Sequence, residues 1–434
     1  MSECKEYKLK EVVSFIDYRG KRGCLKKQIL SKKNCLAIFS ITRQPLPLIT
    51  AKIVKNGVIQ EPTEFISFED YKSWMNRGFP EVGDVVMTTE APLGEVAQIK
   101  DASFALAQRI ITMRGRDGLL HSGYLKYFLQ SNIGQARLKE RETGTTVTGI
   151  KSSELKEVLI STPEYNTQTA IVEILSSLDD KIELNNQINK DLEALAQALF
   201  KQWFIDFEFP NEDGLPYKSS GGEMVDSVLG EIPKGWSVNQ LSDLIQITGG
   251  GTPKRSNDEF WNGNIPWFSI RDISNNSQAI IIDTVEKITE LGLKSSSTKL
   301  LPKGTTIITA RGTVGKLAFI SIPMAMNQSC YGINGKDGIG NYYNYYNIKQ
   351  AVKLLQQNTH GAVFDTITTT TFNTVSVPFG NVDLTINFDN IVHELFESIE
   401  NNLKENKNLS NLRDILLPKL ISGELNVTNN SVEI

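Results

Sequence analysis

The sequence predicts an α+β protein made of two homologous mixed modules, each followed by a long amphipathic helix. Residues 83–99 (GDVVMTTEAPLGEVAQI) and 304–320 (GTTIITARGTVGKLAFI) align without a gap at a separation of 221, the mark of an internal duplication. Residues 167–204 and 387–417 each carry apolar residues in steps of three and four, the spacing of one helical face. Charge is partitioned in the same way. Residues 1–160 hold 25 Lys and Arg against 18 Asp and Glu, and 231–380 hold 13 against 10, whereas 161–230 hold 4 against 13 and 381–434 hold 4 against 9. The formal net charge of −4 therefore conceals two weakly basic modules, which leaves a polyanionic partner open.

The chain has 434 residues with 40% hydrophobic content, enough for two domains of ordinary size plus connecting elements. Its N-terminus, MSECKEYKLKEVVSF, interleaves charged and apolar residues, so neither a signal peptide nor a membrane span is expected and a cytoplasmic location follows. Cys4, Cys24, Cys35 and Cys330 form no CxxC pair, and only His121, His360 and His393 are available beside them. Reduced thiols and no metal site are expected.

Each module opens on an aromatic residue and a short helix-like apolar pattern, Tyr7–Ile16 in the first and Trp236–Ile247 in the second. The modules then diverge through 17–80 and 250–300, as two readers of different targets would, or as drift on an idle surface would. In the repeated segment Val82, Val85 and Met87, or Ile307 and Thr309, alternate ahead of APLG (91–94) or GTVG (312–315), and a second apolar run follows. This reads as strand, glycine-assisted turn, strand, with Gly94, Gly312 and Gly315 forming the turns. Short alternating runs stopped by proline, 155–163 and 372–378, close the modules.

The first helix carries Ile171, Leu175, Leu178, Ile182, Leu192, Ala196, Leu199 and Trp203 on one face, broadened by Ile174, Ile188 and Leu195. At 1.5 Å per residue it spans roughly 55 Å, too long to stand alone in water at this composition. The second helix supplies a partner. At a separation of 220, Ile391 matches Ile171, Leu395 matches Leu175, Leu412 matches Leu192 and Leu416 matches Ala196, and Pro418 is expected to end the run. Both stripes turn polar in the middle, at Asn185 and Asn189 and at Asn402 and Glu405. Antiparallel packing would bring these together and fix register; otherwise they face water or another subunit. Residues 206–231 carry turn and linker signals.

Catalytic signatures are missing. The cluster Gly249-Gly250-Gly251-Thr252-Pro253 lacks GxxxxGK[ST] spacing and reads as a turn, and there is no Asn-Pro-Pro, HExxH or GxSxG. His360 near Asp365 in a Thr-rich stretch reads as structural. What remains is a binder, and its candidate contacts to a polyanion lie around the repeated turn. Arg311 and Lys316 flank Gly312 and Gly315, suited to phosphates or a groove, while Gln108 with Arg109, and Gln328, follow the second strands and present groups that pair with base edges. The first-copy counterparts of Arg311 and Lys316 are Glu90 and Glu95, so the turn is not a shared phosphate clamp. The densest basic run of the first module is Arg19, Lys21, Arg22, Lys26, Lys27, Lys32 and Lys33, a candidate DNA face or a solvated one.

Residues 169–207 (TAIVEILSSLDDKIELNNQINKDLEALAQALFKQWFIDF) resemble the central conserved region of the DNA specificity subunits of Type I restriction-modification enzymes, the HsdS family. NLSNLRDILLPKLISGEL (408–425) is similar to the distal conserved region, and TARGTVGK (309–316) and FWNGNIPWFSIRDI (260–273) extend the likeness over nearly the whole chain. The resemblance implies two mixed α/β target-recognition domains separated by two long antiparallel helices that form a coiled-coil spacer. Each domain would bind one half of a split, asymmetric double-stranded DNA sequence. The helices would hold the domains apart and dock two modification subunits, which bring S-adenosylmethionine and methylate adenine. Two restriction subunits would bring ATP and Mg, and this chain would carry no catalytic group, cofactor or membrane contact of its own. The boundaries implied are 1–160 and 231–380 for recognition, 161–207 and 381–425 for the spacer, 208–230 as linker and 426–434 as tail. Docking or spacer residues would be Ile171, Leu175, Leu178, Ile182, Leu192, Leu199, Trp203, Ile391, Leu395, Leu412 and Leu416. The alternative is a stand-alone bimodular scaffold or regulator whose helices serve only protein association.

Overall fold

In each module the first strand pairs with the last, a long-range closure that patterning alone leaves open. A computed structural model of the chain describes residues 4–18, 29–31, 45–144, 148–274, 279–358, 366–428 and 431–433. The chain divides into two units, residues 1–180 with 409–434, and residues 181–408.

In the first unit β1 (Lys5–Lys8) runs antiparallel to the closing strand Leu159–Thr162, with Lys5 opposite Thr162. The opening segment is not one helical run. Only α1 (Leu9–Val12) is helical, because Leu9 and Val12 reach the core, and β2 (Val13–Asp17) follows at once. With β3 (Val85–Thr89), β4 (Leu93–Gln98) and β5 (Ile110–Gly115) it makes an antiparallel sheet of order β2-β5-β3-β4. Every residue of β3 is buried. Val85 and Met87 join one apolar cluster and Val86 joins another with Tyr18 and Trp74, so the strand is buried on both faces. Gly94 lies inside β4 beside a register irregularity rather than in the turn, at φ +88°. A Cβ there would sit 2.7 Å from Gln135 Oε1, and Gln135 Nε2 donates to the Gly94 carbonyl at 2.8 Å. The helix α2 (Ser122–Gln130) covers the sheet with Leu125 and Phe128. The same core takes Ile171 and Leu175 from α3 (Tyr165–Phe204), and Leu420 and Ile421 from the C-terminal residues.

The second unit repeats the plan. β6 (Ser237–Gln240) pairs with the closing strand Ser376–Phe379, α4 (Leu241–Leu244) follows, and β7 (Ile245–Gly249) joins β8 (Thr306–Thr309), β9 (Leu317–Ile320) and β10 (Cys330–Gly335) in the order β7-β10-β8-β9. Pro378 does not stop the closing strand but pairs opposite Val238 within a two-stranded ribbon, where an edge position spares its missing donor. Residues 206–231 are not all linker, because Met224–Ser227 and Gly230–Pro233 form a hairpin. The core is aromatic: Phe200, Trp203 and Phe204 of α3 pack with Tyr343 and Tyr346 of α5 (Asn341–Asn358) and with Phe388 and Phe396 of α6 (Val382–Ser422).

Pro418 does not end α6, which continues to Ser422. An interior proline costs about 3 kcal/mol. Leu420 and Ile421 beyond it are buried in the first unit's core, and burial at roughly 1.5–3 kcal/mol for each offsets that cost.

The helix repeat is 221, as in the modules, and not 220. At 221, buried Ile171 and Leu175 match buried Val392 and Phe396, and buried Asn185 matches buried Asn406. A separation of 220 matches Ile171 and Leu192 with Ile391 and Leu412, which are 46% and 45% exposed. Ile188 and Leu195 are exposed as well and do not broaden the buried face; Leu178, Ile182, Leu192, Leu199, Leu395 and Leu416 are partly buried, and Trp203 is buried.

Within the second unit the polar centres of the two helices meet. Asn185 Nδ2 donates to Glu405 Oε2 (2.7 Å) and Asn406 Oδ1 (2.9 Å), Asn402 Nδ2 to Asn189 Oδ1 (2.8 Å), and Asn406 Nδ2 to Asn186 Oδ1 (3.0 Å). Pairing of 185 with 405–406 and 189 with 402 is antiparallel. A shift of one turn would strand buried amides, so this cluster specifies register. Within the first unit Asp179 takes that part, accepting from Lys126 Nζ (2.7 Å), Tyr127 Oη (2.8 Å) and Arg413 Nη1 (2.9 Å). Burial opposes its ionisation, yet the two cations and the hydroxyl hold its carboxyl below the ordinary value.

Asp389 on α6 accepts from the Tyr342 and Tyr343 amides at the start of α5 (3.1 and 2.9 Å). Burial pushes its carboxyl up to about 6, against the ordinary 3.8. A raised carboxyl favours the folded state when protonated, and that advantage is lost as pH rises from 3.8 through 6. Gln168, the equivalent residue at 221, accepts from the His121 amide without charge. Asp389→Asn is therefore expected to match the parent in denaturant stability near pH 4 and to exceed it by about 2–3 kcal/mol at pH 8. A difference that stays constant with pH would contradict this account.

Candidate nucleic-acid interface

The antiparallel order of each central sheet sends three connections out of the same end. In the second unit β7 ends at Gly249 opposite Tyr331, and β10 begins at Cys330 opposite Thr309, the last residue of β8. The segment after Gly249, the residues 327–329 and the turn 310–316 thus leave together, tied by the Ala310 amide donating to the Ser329 carbonyl at 2.8 Å. In the first unit β2 ends at Asp17 opposite Ile111, and β5 begins at Ile110 opposite Thr88. The Thr89 amide donates to the Arg109 carbonyl at 3.2 Å. Gln108 and Gln328 hold equivalent places in this frame.

The turns share a scaffold and differ in charge. Thr88 Oγ1 donates to the Pro92 carbonyl and accepts from the Glu95 amide at 3.0 Å, and Thr309 Oγ1 does the same with Thr313 and Lys316. Gly315 matches Gly94 and has φ +80°, and Gly312, at φ +79°, stands where the first turn has Ala91. On this frame Arg311 and Lys316 are exposed, and among the described residues neither forms an ion pair. Arg109 instead meets Glu90, Nε to Oε1 at 3.1 Å, so the first turn presents a neutralised pair. Gln108 is half-buried, whereas Gln328 is exposed and its Oε1 accepts from Thr252 Oγ1. Arg19, Lys21, Arg22 and the rest of that basic run lie outside the described residues, as do His360 and Asp365.

Sequence reasoning passed over Arg255. Its guanidinium lies 3.8 Å from the Trp261 ring centre and 5.0 Å from that of Trp267, and it grips both oxygens of Glu286. The partners are 6, 12 and 31 residues away, and no periodicity joins them. The glycine cluster beside it is explained by close approach, since a Cβ on Gly250 would fall 2.0 Å from the Asn327 carbonyl oxygen. Cys330 is buried, which pushes its thiol up to about 12 and leaves it unreactive. Among the described residues no His, Cys, Asp and Glu cluster could hold a metal, and no helix is long and apolar enough to cross a membrane.

Comparison with known proteins decides the family. The profile described as Type I restriction modification DNA specificity domain matches residues 1–194 and 233–383. The chain belongs to this family. It is similar to the Type I restriction enzyme MjaIX specificity subunit of Methanocaldococcus jannaschii, with 30% identity over 389 residues covering 88% of this chain and 87% of the relative. It is also similar to the HindI specificity subunit of Haemophilus influenzae, with 29% identity over 317 residues covering 61% of this chain and 69% of the relative. Its fold is like that of the crystal structure of the S subunit of a Type I restriction-modification system from M. genitalium, at a TM-score of 0.56 and 17% identity over 96% of each chain. The chain is accordingly the sequence-specific DNA-binding subunit of a Type I restriction-modification complex, itself non-catalytic, and it directs methylation or restriction by partner subunits.

Proposed function

We propose that the two modules, 1–160 and 231–380, read the two halves of a split, asymmetric DNA sequence. Residues 161–207 and 381–425 act as the spacer and as the docking surface for two modification subunits; 208–230 is the linker and 426–434 the tail. Two restriction subunits complete the assembly. S-adenosylmethionine, ATP and Mg belong to those partners, in the cytoplasm.

One observation carries the reading. Each sheet directs the same three connections to one of its own ends on a backbone frame of the same plan, yet the side chains there differ in charge and type. A common scaffold with different exposed groups is what two readers of unlike half-sites require. Arg311, Lys316 and Gln328 contact DNA in the second module, and Gln108, Arg109 and the run containing Arg19, Lys21 and Arg22 do so in the first.

The test is to map adenine methylation by the complex of this chain with its modification subunits, alongside Arg311→Ala. The parent complex is expected to methylate one bipartite sequence. If Arg311 meets a guanine edge, Arg311→Ala loses about 1–3 kcal/mol of discrimination at one position of the second half. If it meets phosphate, binding weakens evenly across sequences with a smaller salt slope. Methylation with no bipartite preference would overturn the reading, and a variant identical to the parent in both assays would place Arg311 outside the interface.

A further inference from the structure

The segment 250–255 is held rigid before any ligand arrives. The Gly251 amide donates to the Met326 carbonyl (3.0 Å), Trp267 Nε1 donates to the Gly251 carbonyl (3.0 Å), and Trp261 Nε1 donates to the Lys254 carbonyl (3.3 Å). Pro253 is buried while Lys254 and Arg255 are exposed. Two indoles thus pin the backbone, and one of them also stacks the Arg255 guanidinium. This segment leaves the same end of the sheet as Gln328 and the Arg311 turn, and Thr252 binds Gln328 directly.

The partner of Arg255 narrows what it recognises. Glu286 engages Nη1 and Nη2 end-on, which leaves the side-on fork of Nε–H and the second Nη2 hydrogen free in the same plane. The bidentate carboxylate neutralises the cation, so a phosphate approaching it would meet an anion already in place. A guanine edge presents two neutral acceptors, O6 and N7, at the spacing of that fork. Stacking on Trp261 and pairing with Glu286 hold the plane, so little side-chain freedom is lost on contact.

We propose that Arg255 reads a guanine edge in the half-site of the second module. This rests on the reading of that module as a DNA reader. The test uses the full chain in complex with its modification subunits, in competition binding against duplexes substituted one base pair at a time. Arg255→Ala is expected to lose roughly 10-fold to 100-fold of discrimination at one G·C pair of the second half, with the first half unchanged. Arg255→Lys, which keeps charge but not the fork, is expected to relax the same pair. Glu286→Gln, which keeps the guanidinium and its stack, is expected to relax that pair by less. Should Arg255→Ala fail to fold, the other two variants decide. Unaltered discrimination, or an even loss across all sequences with a reduced salt slope, overturns the assignment. A parent complex without preference anywhere in the second half would instead overturn the underlying reading of the module.

Discussion

Residues 1–207, produced alone and supplied with modification subunits, are expected to methylate a palindrome of two first-module half-sites in place of the asymmetric parent sequence. The first unit's core takes Leu416, Leu417, Leu420 and Ile421 from the end of α6. At the separation of 221 their counterparts are Leu195, Ala196, Leu199 and Phe200 of α3, so a second copy of the fragment supplies apolar residues at the same places. Part of the polar centre also survives, because Asn185 and Asn406 are counterparts and bond to one another, whereas Asn402 and Glu405 correspond to Lys181 and Leu184. A fragment that stayed monomeric would expose its apolar stripe to water, which makes a two-fold dimer the favoured state. The exchange also weakens the first unit's polar contact. Arg413 corresponds to Leu192, so in the dimer Asp179 keeps Lys126 but loses its guanidinium, at a cost of about 1.5–3 kcal/mol per site. Leu192→Arg within the fragment returns that partner and is expected to tighten the dimer at least tenfold in sedimentation measurements. A dimer that still required the asymmetric sequence, or a fragment that stayed monomeric at high concentration, would refute the exchange.

Matched four-residue insertions after Asp180 in α3 and after Asn408 in α6 are expected to lengthen the gap between the half-sites while leaving both halves readable. These positions are the points at which the two units divide, and both fall inside the long helices. Four residues add about 6 Å at 1.5 Å per residue, between one and two base steps of roughly 3.4 Å. The asparagine cluster at 185–189 and 402–406 stays on one side of both insertions and keeps its bonds. A single insertion, in one helix only, puts this cluster a full turn out of step with the Asp179–Arg413 pairing, so that both cannot form together, and is expected to abolish methylation. Methylation mapping reads both outcomes. An unchanged gap in a folded, active double insertion would remove the spacer role.

Much of the architecture was legible in the residues. The 221-residue repeat, the strand–turn–strand segments and the two helices show as local periodicity, and periodicity reports what each element buries. The polar positions inside apolar stripes were visible for the same reason. Other features depended on distant packing. Local alternation did not show that β3 is buried on both faces, because the second apolar cluster, with Tyr18 and Trp74, that covers its other face comes from distant stretches of the chain. Pro418 marked no helix end because Leu420 and Ile421 are buried beyond it. For the interface, the sequence offered the charged turn and the two glutamines, whereas Arg255 became visible only when Glu286 and two tryptophans were brought beside it.

By itself the sequence determined that two modules of one plan alternate with two long helices, and it carried the family likeness. Only the tertiary structure decided which face of each helix is buried, because a one-residue error in the repeat turns the assigned stripe by about 100°. That rotation separates buried Val392 from exposed Ile391. It also paired Asn185 with Asn406, and it gathered at one end of a sheet connections drawn from three separate stretches of the chain. Strand order and helix register are settled by which apolar surfaces fill one another, and that contest is between residues far apart in sequence.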